Sequence, residues 1–408
     1  MGISIEKSFL LPHLMTLKGI TNWPSQVPTM AQVNEFIPEL CKVPYDYLFR
    51  DDPVAMAECS LLVHEYTGLD NLSANLDFYN FEAESVGAKI AFFKDHIPDI
   101  DRNDFLIKDE KDFGKIKFNG LDAGRLPYLI QYSKAYTEYT GIPSFPSFSA
   151  PWTLACNLYG LENLIVDTMT EPEFVHELLR RIVEDLHAPM FRAFNEVLPG
   201  LTKCSFADAF ASPPMTNMAI IREFVEPYLN LEAEAVGIEG VGVTDGGIWG
   251  VTKISDKDRP EFLDFIIRTN SMLVAFDPDV YDLGPEFYRN YADEKRVGLM
   301  LGLSTGFLQQ ETADEVVERV KHYVLAGKSG ITPFMFFFNN FAPHTPVENI
   351  HAAMAAVQTY GAPGATADTP FRMPVRESFE DFLKSKIADN KEGYTFQWLK
   401  ESGYSYLS

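Results

Sequence analysis

Asp245-Gly246-Gly247, Asn339-Asn340 and His344 each follow closely on an apolar run in this chain. An apolar run without polar alternation reads as a strand buried on both faces. Polar groups just beyond the C-terminal end of such a strand are where a β/α barrel does its chemistry. Asp245, His344, Glu84 and Tyr79 are therefore candidate catalytic groups, able to give or take a proton or to hold developing negative charge. Asp208, Asn80, Asn339, Trp152, Phe338 and Trp249 are candidate substrate contacts. The aromatic members, with Phe210, Phe276 and Phe341, would suit a flat aromatic ligand. Asp77, Glu82, Glu84, Asp208, Asp245 and His344 also form a possible set of O/N ligands for Zn²⁺. His176, His187, His322 and His351 fall on predicted helices and read as structural.

The elements that must position these groups alternate. Strand candidates run over 71–79, 128–131, 144–149, 202–207, 241–245, 272–276, 297–303 and 330–338. Between them, helix starts pair a capping residue with proline or an acidic first turn. Examples are Asp52-Pro53, Glu171-Pro172, Ser212-Pro213, Thr312 with Glu315, and Thr345-Pro346 with Glu348. Alternation predicts a parallel sheet, and this number of units predicts a (β/α)8 TIM barrel. The reading divides the chain into an N-terminal extension at 1–50, a barrel at 51–365 and a helical, aromatic C-terminal tail at 366–408. That tail packs either on the barrel or on a second subunit, which makes a homodimer an expectation.

Net charge is −24 over 408 residues, so the surface repels phosphate backbones and anionic membranes. No run reaches the ~18 apolar residues of a membrane span. Cys41, Cys59, Cys156 and Cys204 have no metal-like spacing and read as reduced thiols. With no secretory signal in MGISIEKSFLLPHL, a cytoplasmic location is expected.

Four stretches in order carry a family resemblance: FYNFEAESVGAKI at 78–90, SAPWTLACNLYG at 149–160, DAFASPPMTNMAIIREFVEPY at 208–228 and TPVENIHAAMAAVQTYG at 345–361. The chain resembles the uroporphyrinogen decarboxylase superfamily, and within it the cobalamin-dependent methyltransferases. The resemblance implies a (β/α)8 barrel. Decarboxylases of that family carry an Arg-rich N-terminal segment, but LKGITNWPSQVPTM contains no arginine. A decarboxylase of a small or tetrapyrrole-like carboxylate is therefore the alternative reading. The thiol-methylating branch binds Zn²⁺ through a His-x-Cys pair and a later Cys. Alignment puts Val243 and Asp245 at the first two positions and Asn339 at the third. What remains is a branch that passes a methyl group from a donor to a Co(I) corrinoid on a separate protein. The resemblance thus implies a corrinoid protein as partner and cobalamin as its cofactor, and together with the aromatic strand ends it makes a methoxylated aromatic the expected substrate. A phenolate leaving group then needs a proton or hydrogen-bond donors.

Overall fold

The computed structural model describes residues 27–70, 76–77, 79–141, 143, 147–198, 200, 203–238 and 242–389. The protein has an α/β fold of the (β/α)8 barrel type. Strand β1 (Thr29–Ala31) lies parallel to β9 (Phe334–Phe338), β9 to β8 (Gly298–Leu303), and β8 to β7 (Met272–Phe276). A second parallel group joins β4 (Phe148–Ser149), β5 (Lys203–Ala207) and β6 (Gly242–Gly246). A short antiparallel pair, β2 (Ile90–Ala91) and β3 (Asp99–Ile100), sits apart from these. The β1–β9 pairing joins the first described strand to the last, with Ala31 opposite Phe338.

That pairing corrects the expected boundary, because residues 29–31 are part of the barrel wall rather than of an extension. The expected strand at 128–131 is also corrected. Those residues lie inside the helix Leu126–Thr140, which has Pro127 in its first turn and stops at Gly141 (φ 70°). The apolar run Tyr128–Leu129 is one buried face of that helix. Most of the expected strand at 71–79 lies outside the described residues.

Helix starts vary in how they are capped. Asp52 accepts from the Ala55 N–H at 2.8 Å and opens Pro53–Thr67. Thr312 and Glu315 form the expected capping box for Ala313–Lys328. Replacing Thr312 by alanine should cost about 1 kcal/mol, read from a lower urea midpoint at unchanged slope. Two expectations fail. The helix foreseen from Ser212-Pro213 begins at Met218 under the Asn217 side chain. The Thr345–Glu348 box does not form, because the Thr345 hydroxyl donates to the Ala342 carbonyl and Pro346 takes the cap position.

The C-terminal helix Phe379–Asp389 packs on the chain's own barrel. Phe379 and Phe382 lie with ring centroids 5.0 and 5.3 Å from that of Tyr66, which also contacts His351. The four cysteines are free and buried. Among the described residues, no helix is long and apolar enough to cross a membrane.

Candidate active site

Strand alternation sorts the strand-end aromatics into two sets. Phe336 and Phe338 pack with Phe341 in the layer between strands and helices. Phe337 points the other way, into a separate cluster with Phe276, Met300, Met30 and Trp249. Phe338, the expected contact, lies on the opposite face from this cluster, and its neighbour Phe337 sits in it. The Trp249 and Phe276 rings are 5.7 Å apart, and those of Phe276 and Phe337 are 6.1 Å apart. These rings form an apolar floor towards the C-terminal ends of β7 and β9.

The loop bearing Trp249 is held from two sides. The Trp249 N–H donates to the Ser212 hydroxyl at 3.1 Å. Asp279, buried, accepts from the N–H groups of Gly250, Val251 and Thr252 at 2.8, 2.8 and 3.0 Å and from the Thr252 hydroxyl at 2.5 Å. A carboxylate satisfied this fully fixes backbone, so Asp279 acts through the loop rather than on a ligand.

A second group is an ion-paired anchor. Arg125, buried, binds Asp77 at 2.8 Å, Glu84 at 2.5 Å and the Phe49 carbonyl at 2.8 Å. Its guanidinium lies over the rings of Phe81 and Phe92 at 4.5 and 4.7 Å. Asn80 donates to Asp77 and, at 3.1 Å, to the Pro98 carbonyl. Burial raises the pKa of both carboxyls, and Arg125 pulls each back down. Glu84 was expected to be catalytic and Asn80 to touch substrate. Both instead belong to this anchor, because the charge of Arg125 needs partners where water is excluded. An anionic substrate would find that cation already neutralised.

A third group lies deeper. Glu82 is fully buried and accepts from the Ser149 N–H. Burial raises its pKa to about 7. Asp208, also fully buried, accepts from the Thr153 N–H at 2.9 Å and hydroxyl at 2.6 Å, at the start of the helix Pro151–Tyr159. Its pKa rises with burial to about 6. Asp208 thus caps a helix in trans, contrary to its expected role as a substrate contact. His187 and Glu232 pair at 2.5 Å in the same region, and burial pushes the imidazole down to about 4. The Tyr79 phenol feels Asp208 and Glu82, which, after burial itself, push it up to about 12. Trp152 is buried, and its ring N–H donates to the Phe210 carbonyl at 3.2 Å, so it serves packing.

The remaining expected groups scatter. His344 has a side chain 86% exposed and a left-handed backbone (φ 64°). Its N–H and ring bind Glu39. A surface loop rather than the barrel interior holds it, which removes it from the catalytic set. Asn339 is half-buried, and its N–H donates to the Leu303 carbonyl at 3.1 Å. Asp245 stands on β6 opposite Phe206, and its side chain lies outside the described residues. Among the described residues, no three His, Cys, Asp or Glu side chains are grouped to hold a metal ion. Four of the expected O/N ligands do not come together as such a site: Asp77 and Glu84 face Arg125, Asp208 faces Thr153, and His344 lies exposed beside Glu39.

The sequence reading did not single out Glu35. It follows β1, in the segment read as an extension. Asn340, just after β9, hydrogen-bonds its carboxyl, and burial raises its pKa against that bond.

The description of one family, uroporphyrinogen decarboxylase (URO-D), matches residues 22–360. The chain belongs to the URO-D family. Its relatives within the URO-D family include methyltransferases. A methylated-thiol–coenzyme M methyltransferase of Methanosarcina mazei is 23% identical over 374 residues, covering 90% of each chain. A solved methyltransferase from Methanosarcina mazei superposes with a TM-score of 0.67 at 19% identity, covering 86% of this chain and 98% of its own. The URO-D fold accounts for the parallel strand order.

Proposed function

We propose that this protein is a methyltransferase that takes a methyl group from a methoxylated aromatic compound and passes it to the Co(I) corrinoid of a separate protein. The observation that carries the reading is the apolar floor of Trp249, Phe276, Met300, Phe337 and Met30 at the strand C-termini. A flat aromatic ring can stack there, with water kept from its far side. The methyltransferase relatives support the reaction class. Asn339, at the position where the thiol-methylating branch keeps a zinc-binding cysteine, supports a donor chemistry without thiolate activation. Co(I) is already a strong nucleophile, so the demand on the protein lies at the leaving oxygen. The corrinoid protein approaches the same open end, and the protein acts in the cytoplasm.

The test mixes the purified protein anaerobically with cob(I)alamin and guaiacol or veratrole and follows the absorbance. Methylcobalamin should form. Failure with every methoxyarene, with and without a corrinoid protein, would rule the reading out.

A further inference from the structure

We propose that a groove beside the aromatic floor seats the corrinoid-carrying partner, which places an arginine side chain against Tyr281; the identity of that partner rests on the methyl transfer proposed above. The groove holds about 440 Å³ and is walled by Tyr281, Phe307, Tyr323 and Arg319, with the exposed Glu311 and Glu315 also lining it. Its parts come from the strand ends that carry the floor. Asp277 directly follows Phe276 at the end of β7. Tyr281 stands on the helix Asp279–Leu283 after β7, and Phe307 on the helix Thr305–Gln310 after β8. Asp279, which holds the Trp249 loop, opens the same short helix as Tyr281. A protein seated on Tyr281 therefore lies alongside the floor.

The groove's own contacts set its shape. Asp277 accepts from Arg319 at 3.0 Å and from the Tyr323 hydroxyl. The Arg319 guanidinium lies over the Tyr281 ring at 4.1 Å and over the Phe307 ring at 4.0 Å. It covers one face of each ring, so the two rings do not form an empty cage for a small ammonium ion. Tyr281 is held in this stack and is still 63% exposed. A large ring fixed at the surface loses little freedom when a partner packs on it, which is the property of an interface anchor.

Charge selects the partner's side chain. Basic groups at the groove already have acids beside them: Arg319 has Asp277, His322 has Glu286 at 3.1 Å, and Lys321 has Glu318 at 3.7 Å. Glu311 and Glu315 add negative charge beyond these pairs. An incoming guanidinium meets those carboxylates while its plane stacks on Tyr281, which an ammonium group does less well. The chain's net charge of −24 favours a basic face on the partner as well. A free amine would gain little from carboxylates this exposed, whereas a protein adds the contacts of the surface around its arginine.

The experiment has two arms. In the first, a labelled hexa-arginine peptide is titrated by fluorescence anisotropy at about 0.15 M salt, which screens the distant field of the chain. Tyr281→Ala should weaken binding about tenfold, and Glu311→Gln with Glu315→Gln by a similar factor, whereas Tyr281→Phe should keep it. Glutamine preserves the capping box with Thr312, so this double variant carries the test if the alanine variant does not fold. Glu110→Gln with Glu162→Gln removes the same charge from exposed sites elsewhere and should change nothing. Equal weakening by that control, or none by the groove variants, overturns the groove. In the second arm, guaiacol is the methyl donor to free cob(I)alamin or to a corrinoid protein. Tyr281→Ala should match wild type with free cob(I)alamin and raise KM for the corrinoid protein about tenfold. An unchanged KM overturns the partner. Failure of wild-type protein with both acceptors overturns the methyl-transfer reading and this partner with it, while the peptide arm still decides the groove. A dimer in sedimentation that Tyr281→Ala dissociates makes a second copy the occupant and likewise overturns the partner.

Discussion

Replacing Arg125 by alanine should destabilise the protein by about 3–5 kcal/mol, because it leaves buried carboxyls without their cation. Arg125 is 6% exposed and binds Asp77, Glu84 and a backbone carbonyl at once. Burial raises the pKa of both acids, and Arg125 works against that rise at each. Without it they must either take up protons or remain charged out of water. A triple variant, Arg125→Met with Asp77→Asn and Glu84→Gln, should recover most of the loss. It removes the charges together with the need to pair them. The anchor is shielded from solvent, so the loss should change little between low and high salt. Urea unfolding measures all three proteins. A loss below about 1 kcal/mol, typical of a surface pair, would show that the anchor contributes no more than an exposed ion pair.

That anchor explains much of what the sequence did and did not disclose. Glu84 and Asp77 were legible as polar groups near a strand end. Their partner lies 41 and 48 positions away, and no local pattern links them. An acid read alone looks catalytic, and the same acid beside a buried guanidinium is structural. Asp208 failed in the same way, since Thr153 reaches it across 55 positions.

Local patterns served better where one pattern had one solution. The run at 272–276 is a strand at those residues, and Thr312 with Glu315 caps its helix. The run at 128–131 had two solutions, strand or buried helix face, and Pro127 in a first turn decided for helix. The run ending at Phe338 was recognised as a strand, but an unbroken apolar run does not say which members face inward. Only the register with β8, Leu303 opposite Phe338 and Gly302 opposite Phe337, separates them. Strand β1 has three residues, too few for any periodicity, so the barrel's first wall and Glu35 behind it passed unseen.

Glu82→Gln should make the protein progressively more stable than wild type as pH rises. Glu82 is fully buried, and burial raises its pKa from 4.5 to about 7. Between those values the folded protein keeps the proton and the unfolded chain has lost it. Stability from this group is therefore complete below about pH 4.5 and is lost as pH rises to about 7. A shift of that size corresponds to about 3 kcal/mol. Glutamine keeps the acceptor for the Ser149 N–H and never ionises, so it escapes the loss. The variant-minus-wild-type difference should grow through that window and then level off. His187 works in the opposite sense: its pKa falls from 6.5 to about 4, so it adds stability as pH rises between those values. Wild type alone would blur the two trends; the difference between the two proteins reports the Glu82 carboxyl together with its coupling to His187, since each group acts on the other's pKa. Urea midpoints measured from about pH 4 to about pH 8 give the curve. Parallel curves would mean that Glu82 ionises in the fold as readily as in water. Burial outweighs the Ser149 hydrogen bonds and His187, which pull the other way, so the carboxyl holds its proton to higher pH than it does in water.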